Sequence, residues 1–283
     1  MTAARAARDA VPAPGSVPAP DPLPAPALDA HCHLDLIEQP TGEVLAAARA
    51  AGVTRVITVG VDLPSSHWSA DHADPGVGVY AAVAIHPNET AAAAASPAHR
   101  DEVLAEIAKL AALPQVRAVG ETGLDYYRDH AAPQIQREWF RAHIEIAKQA
   151  GKALMIHDRE AHGDVLAILA ADGPPERVVF HCFSGDAAMA RQCAAAGYVM
   201  SFAGNLTFAN APGLREAAAA APADLLLTET DAPFLTPVPL RGRPNTPAMV
   251  AHTVRCLAGV KQIGVADMCA LLTATGERMF GPW

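Results

Sequence analysis

The stretch VRAVGETGLDYYRDHAAPQIQREWFRAHIEIAKQAGKALMIHDR, residues 116–159, sets the architecture of the chain. Its opening run, 116–125, and its closing run, 152–159, are each short, apolar and β-branched before giving way to polar residues. Runs of this length read as buried strands. Between them Ile135, Trp139, Ile144 and Ala147 fall along one stripe at helical spacing, from Pro133 to Ala150. Gly151 follows where a helix C-terminal cap puts a glycine. A strand, a helix and a strand in this order make a parallel pair with a crossover.

The same alternation runs outward in both directions. Further strands are predicted at 27–33, 53–60, 79–87, 177–184, 198–204 and 225–233, which brings the total to eight. Gly173 and Gly197 again follow helical segments. Eight repeats imply a parallel sheet closing on itself, an α/β fold of the (β/α)8 TIM-barrel type, with residues 246–279 as additional C-terminal helices. No internal repeat and no second domain are evident. Residues 1–26 are rich in Ala and Pro, with prolines at 12, 14, 18, 20, 22, 24 and 26, and read as a disordered extension ahead of a barrel domain at 27–283.

Composition narrows the function. Hydrophobic residues are 51% and charged residues 18% of the 283, a globular balance, and no apolar run is long enough to span a bilayer. The net charge of −9 excludes a broad phosphate-gripping surface, so any polyanion must be held locally. Five cysteines, an odd number with no CxxC pair, argue against a disulfide framework and suit a reducing, cytoplasmic setting.

Polar residues then fall at one end of the predicted strands. His31 and His33 end strand one, Glu121 lies late in strand four, and His157, His181 and Asp231 end strands five, six and eight. That end is the rim where barrel enzymes build their sites. Imidazole and carboxylate are ligand types for Zn, Mn or Mg. Four histidines and two carboxylates exceed one tetrahedral ion and suit two ions sharing a bridging carboxylate, an arrangement that activates water for phosphoryl displacement.

With these residues in place, the chain resembles the TatD-related metal-dependent deoxyribonucleases, within the wider amidohydrolase-like barrels. The likeness rests on DAHCHLD (29–35), IHP (85–87), GETGLDYY (120–127), IHDR (156–159), HCFSG (181–185), SFAGNLTF (201–208) and ETDAPFLTP (229–237), and runs from Ala27 to the C-terminus. It implies two divalent ions (Mg, Mn or Zn). His31, His33 and Asp231 would hold one and His157 and His181 the other, with Glu121 bridging. It also implies a general-base role for Asp231. Two departures stand out: Arg243-Pro244-Asn245-Thr246-Pro247 where the family often reads RNEP, and Thr122 where an aliphatic residue or cysteine is usual.

Around this set, Asp35 either orients a ligand histidine or caps the segment that follows. His86, Arg159, Arg241 and Arg243 are candidate phosphate contacts, and Tyr126 and Tyr127 a stacking face for a base. Cys32 and Cys182 read as core thiols. The resemblance implies a deoxyribonuclease of the 3′–5′ exonuclease type acting on DNA, single-stranded in preference, with no membrane and no obligate protein partner. An ester or amide hydrolase, such as a D-aminoacyl-tRNA deacylase, would use the same ligands.

Overall fold

A computed structural model describes residues 17–94, 96–128 and 130–283. Eight strands run β1 Ala27–Cys32, β2 Val53–Val59, β3 Val79–Val83, β4 Val116–Asp125, β5 Ala153–Arg159, β6 Val178–Phe180, β7 Val199–Phe202 and β8 Leu226–Thr228. Each pairs in parallel with the next, in chain order. The helices between them are α1 Thr41–Ala50, α2 Leu63–His72, α3 Thr90–Ala93, α4 Pro97–Ala111, α5 Pro133–Ala150, α6 His162–Asp172, α7 Ala187–Ala195 and α8 Pro212–Ala220, with α9 Val250–Lys261 and α10 Val265–Phe280 closing the chain. This is the (β/α)8 barrel that the alternation predicts. Among the described residues no single helix is long and apolar enough to cross a membrane.

Two apolar layers hold it. Inside the barrel Leu28, Ile57, Tyr80, Met155, Val179, Val199 and Leu227 pack together, and Met279 and Phe280 of α10 plug the floor. Between strands and helices a second layer gathers Val56, Val119, Trp139, Phe140, Ile144 and Leu154. The seam between β8 and β1 is closed past the end of β8, where Cys32 bridges Ala232. There the His33 amide donates to Ala232 O at 2.7 Å and the Asp231 amide to His31 O at 2.9 Å. The barrel is therefore sealed by residues that the sequence marks as chemical.

Three strands fall furthest short of their predicted ranges. Strand β3 stops at Val83, well before Pro87, which has no amide to donate. Strands β6 and β8 stop at Phe180 and Thr228, ahead of Cys182 and Asp231, whose φ of 42° and 54° cannot continue a strand. The N-terminal boundary also moves. Residues 1–16 lie outside the described residues, but 17–26 lie on the barrel instead of standing apart. Leu23 is buried and its amide donates to Ala51 O at 2.9 Å, while Arg255 donates to Asp21 O and Pro22 O. A leucine among prolines is enough apolar surface to dock a segment whose prolines have few amides to satisfy.

Thr122, one of the two departures, has a buried partner. Its hydroxyl meets His143 Nδ1 at 2.9 Å, and the Ile85 amide donates to His143 Nε2 at 3.3 Å. Burial pushes the His143 pKa down to about 4, so the imidazole is neutral at physiological pH. The chain from β4 through α5 to the end of β3 fixes the segments that carry Glu121 and His86. Replacing His143 by Leu strands a buried amide and a buried hydroxyl, and we expect a loss of roughly 2–4 kcal/mol in urea unfolding.

Candidate metal centre

Two bulges deliver the central side chains. On β1, Leu28 and Ala30 face the barrel interior, so strict alternation would send His31 and His33 outward. Between the pairs Asp29↔Val56 and Cys32↔Thr58, however, β1 carries one residue more than β2. The extra residue turns Cys32 into the outer layer and both imidazoles inward. Strand β4 repeats the device between Val119↔Leu154 and Thr122↔Ile156, and Glu121 swings in. Glycines make room on either side of it. A Cβ on Gly120 would lie 2.4 Å from Met155 Cβ, and Gly123, at φ 141°, would press one into His157 O.

The carboxylate of Glu121 then sits between two sets of histidines. Its Oε1 is 2.6 Å from His157 Nδ1, 2.8 Å from His181 Nε2 and 3.5 Å from His86 Nε2. Its Oε2 is 3.5 Å from His31 Nε2 and 3.9 Å from His33 Nε2. Asp231 Oδ1 lies 3.7 and 3.6 Å from the same two nitrogens. All six sequence-predicted ligands thus meet at one mouth.

The donor set fits a cation. His33 Nδ1 faces Val59 O at 3.0 Å and His31 Nδ1 faces Met155 Sδ at 3.2 Å, so both rings carry their proton on Nδ1. Their Nε2 lone pairs then face each other across 3.2 Å, a contact that repels unless a positive charge lies between. Ligands about 2.0–2.1 Å from a tetrahedral ion lie about 3.3 Å apart. Two other triads, His31–His181–Glu229 and His86–Glu121–His157, also bring their ligand atoms within 4.8 Å of one another.

The electrostatics agree. Burial raises the Glu121 pKa, but the His181 and His86 charges and the bonds from His157 and His181 outweigh it and hold the carboxyl well below its usual range. For Asp231, burial is outweighed by the His33 bond and the His181 and His31 charges, and the pKa falls. For His181, burial is outweighed by Glu121 and Glu229, and the pKa rises well above normal. A cluster that keeps its carboxylates anionic and favours positive charge on His33, His157 and His181 suits a bound metal.

Several residues missing from the sequence reading hold this arrangement. Glu229 accepts from His181 Nδ1 at 3.0 Å and from the Cys182 amide at 2.7 Å, leaving His181 Nε2 for the centre. Asp125 meets His157 Nε2 at 3.1 Å. Asp231 occupies the left-handed region at φ 54°, which costs a non-glycine residue about 1–3 kcal/mol. Its neighbours impose that conformation. Asp29 accepts from the Thr230 amide at 2.8 Å and pairs with its hydroxyl at 2.6 Å, and Asn245 Nδ2 donates to Thr230 O and Phe234 O. Asn245 belongs to the segment that departs from RNEP, and its work here is to staple the loop that carries Asp231. Replacing Glu229 by Ala leaves His181 Nδ1 and the Cys182 amide without the acceptor they share, and we expect a 10–100-fold loss of metal affinity in a chelator competition assay.

Asp35 does not reach the second nitrogen of His33. Val59 O already holds the second nitrogen of His33, and Asp35 Oδ1 is buried with no hydrogen-bond partner. Cys32 is buried as a core thiol, donating to Ile57 O, but Cys182 is half-buried at the mouth because its left-handed backbone lifts it out of the strand. Among the outer candidates, His86 accepts from the Asn88 amide through Nδ1 at 3.0 Å, so its Nε2 carries the proton and points at the centre as a donor. Arg159 stacks on the exposed Tyr127 ring at 3.9 Å, and Arg241 on Phe208 at 4.0 Å. Arg243 is exposed, and its carbonyl accepts from the Thr236 hydroxyl. Neither Arg241 nor Arg243 bonds to the cluster among the described residues. Tyr126 is tied by its hydroxyl to Asp164 at 2.6 Å and to Arg137 at 2.9 Å.

Comparison with known proteins points the same way. The TatD-related DNase family model matches residues 28–281. A metal-dependent hydrolase, TatD, of Mycobacterium tuberculosis is 45% identical over 263 residues, covering 90% of this chain and 97% of that one. The metal-dependent hydrolase YabD of Bacillus subtilis is 36% identical over 256 residues, covering 89% and 98%. The crystal structure of YjjV, a TatD homologue of Escherichia coli, superposes with a TM-score of 0.82 at 26% identity, covering 90% of this chain and 98% of that one. With the family model reaching from the first strand through both closing helices, the chain belongs to the TatD-related DNase family of metal-dependent hydrolases.

Proposed function

We propose that the protein hydrolyses DNA phosphodiester bonds, removing nucleotides from the 3′ end of single strands. The observation that carries this reading is the placement of Glu121, one oxygen toward His157 and His181 and the other toward His31 and His33. Divalent ions held by His31, His33 and Asp231 on one side and by His157 and His181 on the other, with Glu121 between, would supply an activated water and positive charge against the phosphate oxygens.

The chain's own groups do the rest. Asp231, whose side chain is 15% exposed where Glu121 is 5%, faces the mouth as an anion and takes the proton of the attacking water. His86, with its proton on Nε2, donates to a phosphate oxygen. Arg159 on Tyr127 gives a flat face and a fixed charge for a nucleotide next to the scissile bond, and Arg241 and Arg243 hold a phosphate farther along. Local binding of this kind suits a chain whose net charge is −9.

The test is to strip the metal, add end-labelled single-stranded DNA, and restore Mg²⁺, Mn²⁺ and Zn²⁺ in turn. Mononucleotides released from the 3′ end only on metal addition, and not by the Asp231→Asn protein, are the expected result. Deacylation of an aminoacyl-tRNA with the DNA left intact would replace this reading.

A further inference from the structure

The floor of the barrel, at the opposite end from the metal centre, carries a second cluster of charge. Arg117 is the second residue of β4, Lys152 precedes β5, and Arg177 precedes β6. The pairings Ala118↔Ala153 and Leu154↔Val178 set the three nearly level on adjacent strands, which lie about 4.8 Å apart. Like charges opposed in this way destabilise a sheet. Among the described residues, none of the three forms an ion pair, in a protein that has nine more acidic than basic residues. Glu176, next to Arg177 in the chain, and Glu277, which packs by Gly281, are both exposed, and neither forms an ion pair with the three among the described residues.

A cavity of ≈170 Å³ opens between these side chains, bounded also by Gly151, Phe280 and Gly281. At about 30 Å³ per water it has room for a compact ion of phosphate size. Part of each cation is already fixed. Lys152 Nζ donates to Leu113 O at 3.1 Å and Val116 O at 2.6 Å, and Arg177 to Met279 O and Gly151 O. Among the described residues Arg117 is held only by its face, over the Tyr80 ring at 5.0 Å, and its Nε is buried without an acceptor. Burial, together with Arg117 and Arg177, lowers the Lys152 pKa, the mark of positive charges crowding one another.

We propose that this floor cavity is a binding site for a small multivalent oxyanion of the phosphate type, held by Arg117, Lys152 and Arg177. Three converging cations with donors to spare match a compact di- or trianion, and guanidinium forks fit its oxygens. The ligand joins the starts of three strands to the C-terminal segment that plugs the barrel, so its effect is on stability rather than on chemistry at the mouth.

The experiment is a thermal melt of the metal-loaded protein in inorganic phosphate against chloride of equal ionic strength. At tenfold the dissociation constant, phosphate is expected to raise the melting temperature by about 3–6 °C. Arg117→Gln removes no hydrogen bond on which the fold depends, and a tenfold weaker site would cut the shift to about 1 °C. Arg55→Gln, a neighbouring cation that stacks on Trp283 outside the cavity, keeps the full shift. Asp231→Asn separates the floor from the mouth and also keeps it. No shift in the parent protein, an undiminished shift in Arg117→Gln, or a shift abolished by Asp231→Asn would each overturn the proposal.

Discussion

Glu121→Gln is expected to abolish hydrolysis, by roughly 10³-fold or more in kcat/KM, while leaving the barrel folded. A change of one atom has this reach because the two carboxylate oxygens serve different histidines, at 2.6 and 2.8 Å on one side and 3.5 and 3.9 Å on the other. Glutamine keeps one acceptor and replaces the other with a donor, so one set of imidazoles loses its anionic partner whichever way the amide turns. The negative charge shared by the sets goes with it. Removing a single oriented electrostatic group from an active site costs about 10²–10³-fold, and losing a group common to both halves costs more. Metal content by atomic absorption should fall in parallel, while circular dichroism stays unchanged. Retention of activity within about tenfold of the parent, with metal still bound, would remove Glu121 from the centre of the argument.

The fold was legible because helix and strand periods alternate eight times, and because α5 and α6 end on Gly151 and Gly173, where the sequence offers a cap. Six of the residues now gathered at the mouth were legible because they follow apolar runs. The bulges were not. His31 and Glu121 point inward only because β1 and β4 each carry one extra residue, and nothing in a two-residue alternation announces an interruption. The supporting residues were hidden for another reason. Glu229 and Asp125 sit two and four residues from recognised positions, and what they contact, His181 and His157, lies on other strands. Asp35 misled in the opposite sense: it is near His33 in the chain, but a backbone carbonyl had already taken the nitrogen it would have bonded. Thr122 and Asn245 looked like departures from a pattern, and each proves to be half of a buried contact whose other half the linear sequence does not show.

Metal removal should cost more stability the higher the pH, and the direction follows from the protons that replace the ions. In the stripped protein His181, His33 and His157 have folded pKa values above normal: burial alone would lower them, but Glu121, Glu229, Asp231 and Asp125 outweigh it. A raised histidine stabilises the fold fully below its ordinary value near 6.5, and that contribution fades as pH climbs through the raised values. Glu121 and Asp231 are lowered, so theirs is present above the ordinary carboxylate range and lost only in acid. The stripped protein is therefore most stable in the mildly acidic window between them. The loaded protein behaves the other way, since ions need neutral imidazoles and protons displace them as pH falls. His31 and His86, already pushed down, offer little competition. His143, whose two ring nitrogens face Thr122 and the Ile85 amide and not the cluster, acts on both forms alike and cancels in the difference. At metal concentrations about a thousandfold above the dissociation constant the gap amounts to about 4 kcal/mol, or roughly 8–16 °C in melting temperature near pH 8. It should close steadily toward pH 5.5, as paired melts with chelator and with Zn²⁺ or Mn²⁺ would record. Melting curves that stay parallel across that range would mean that the histidines at the mouth do not exchange protons for metal.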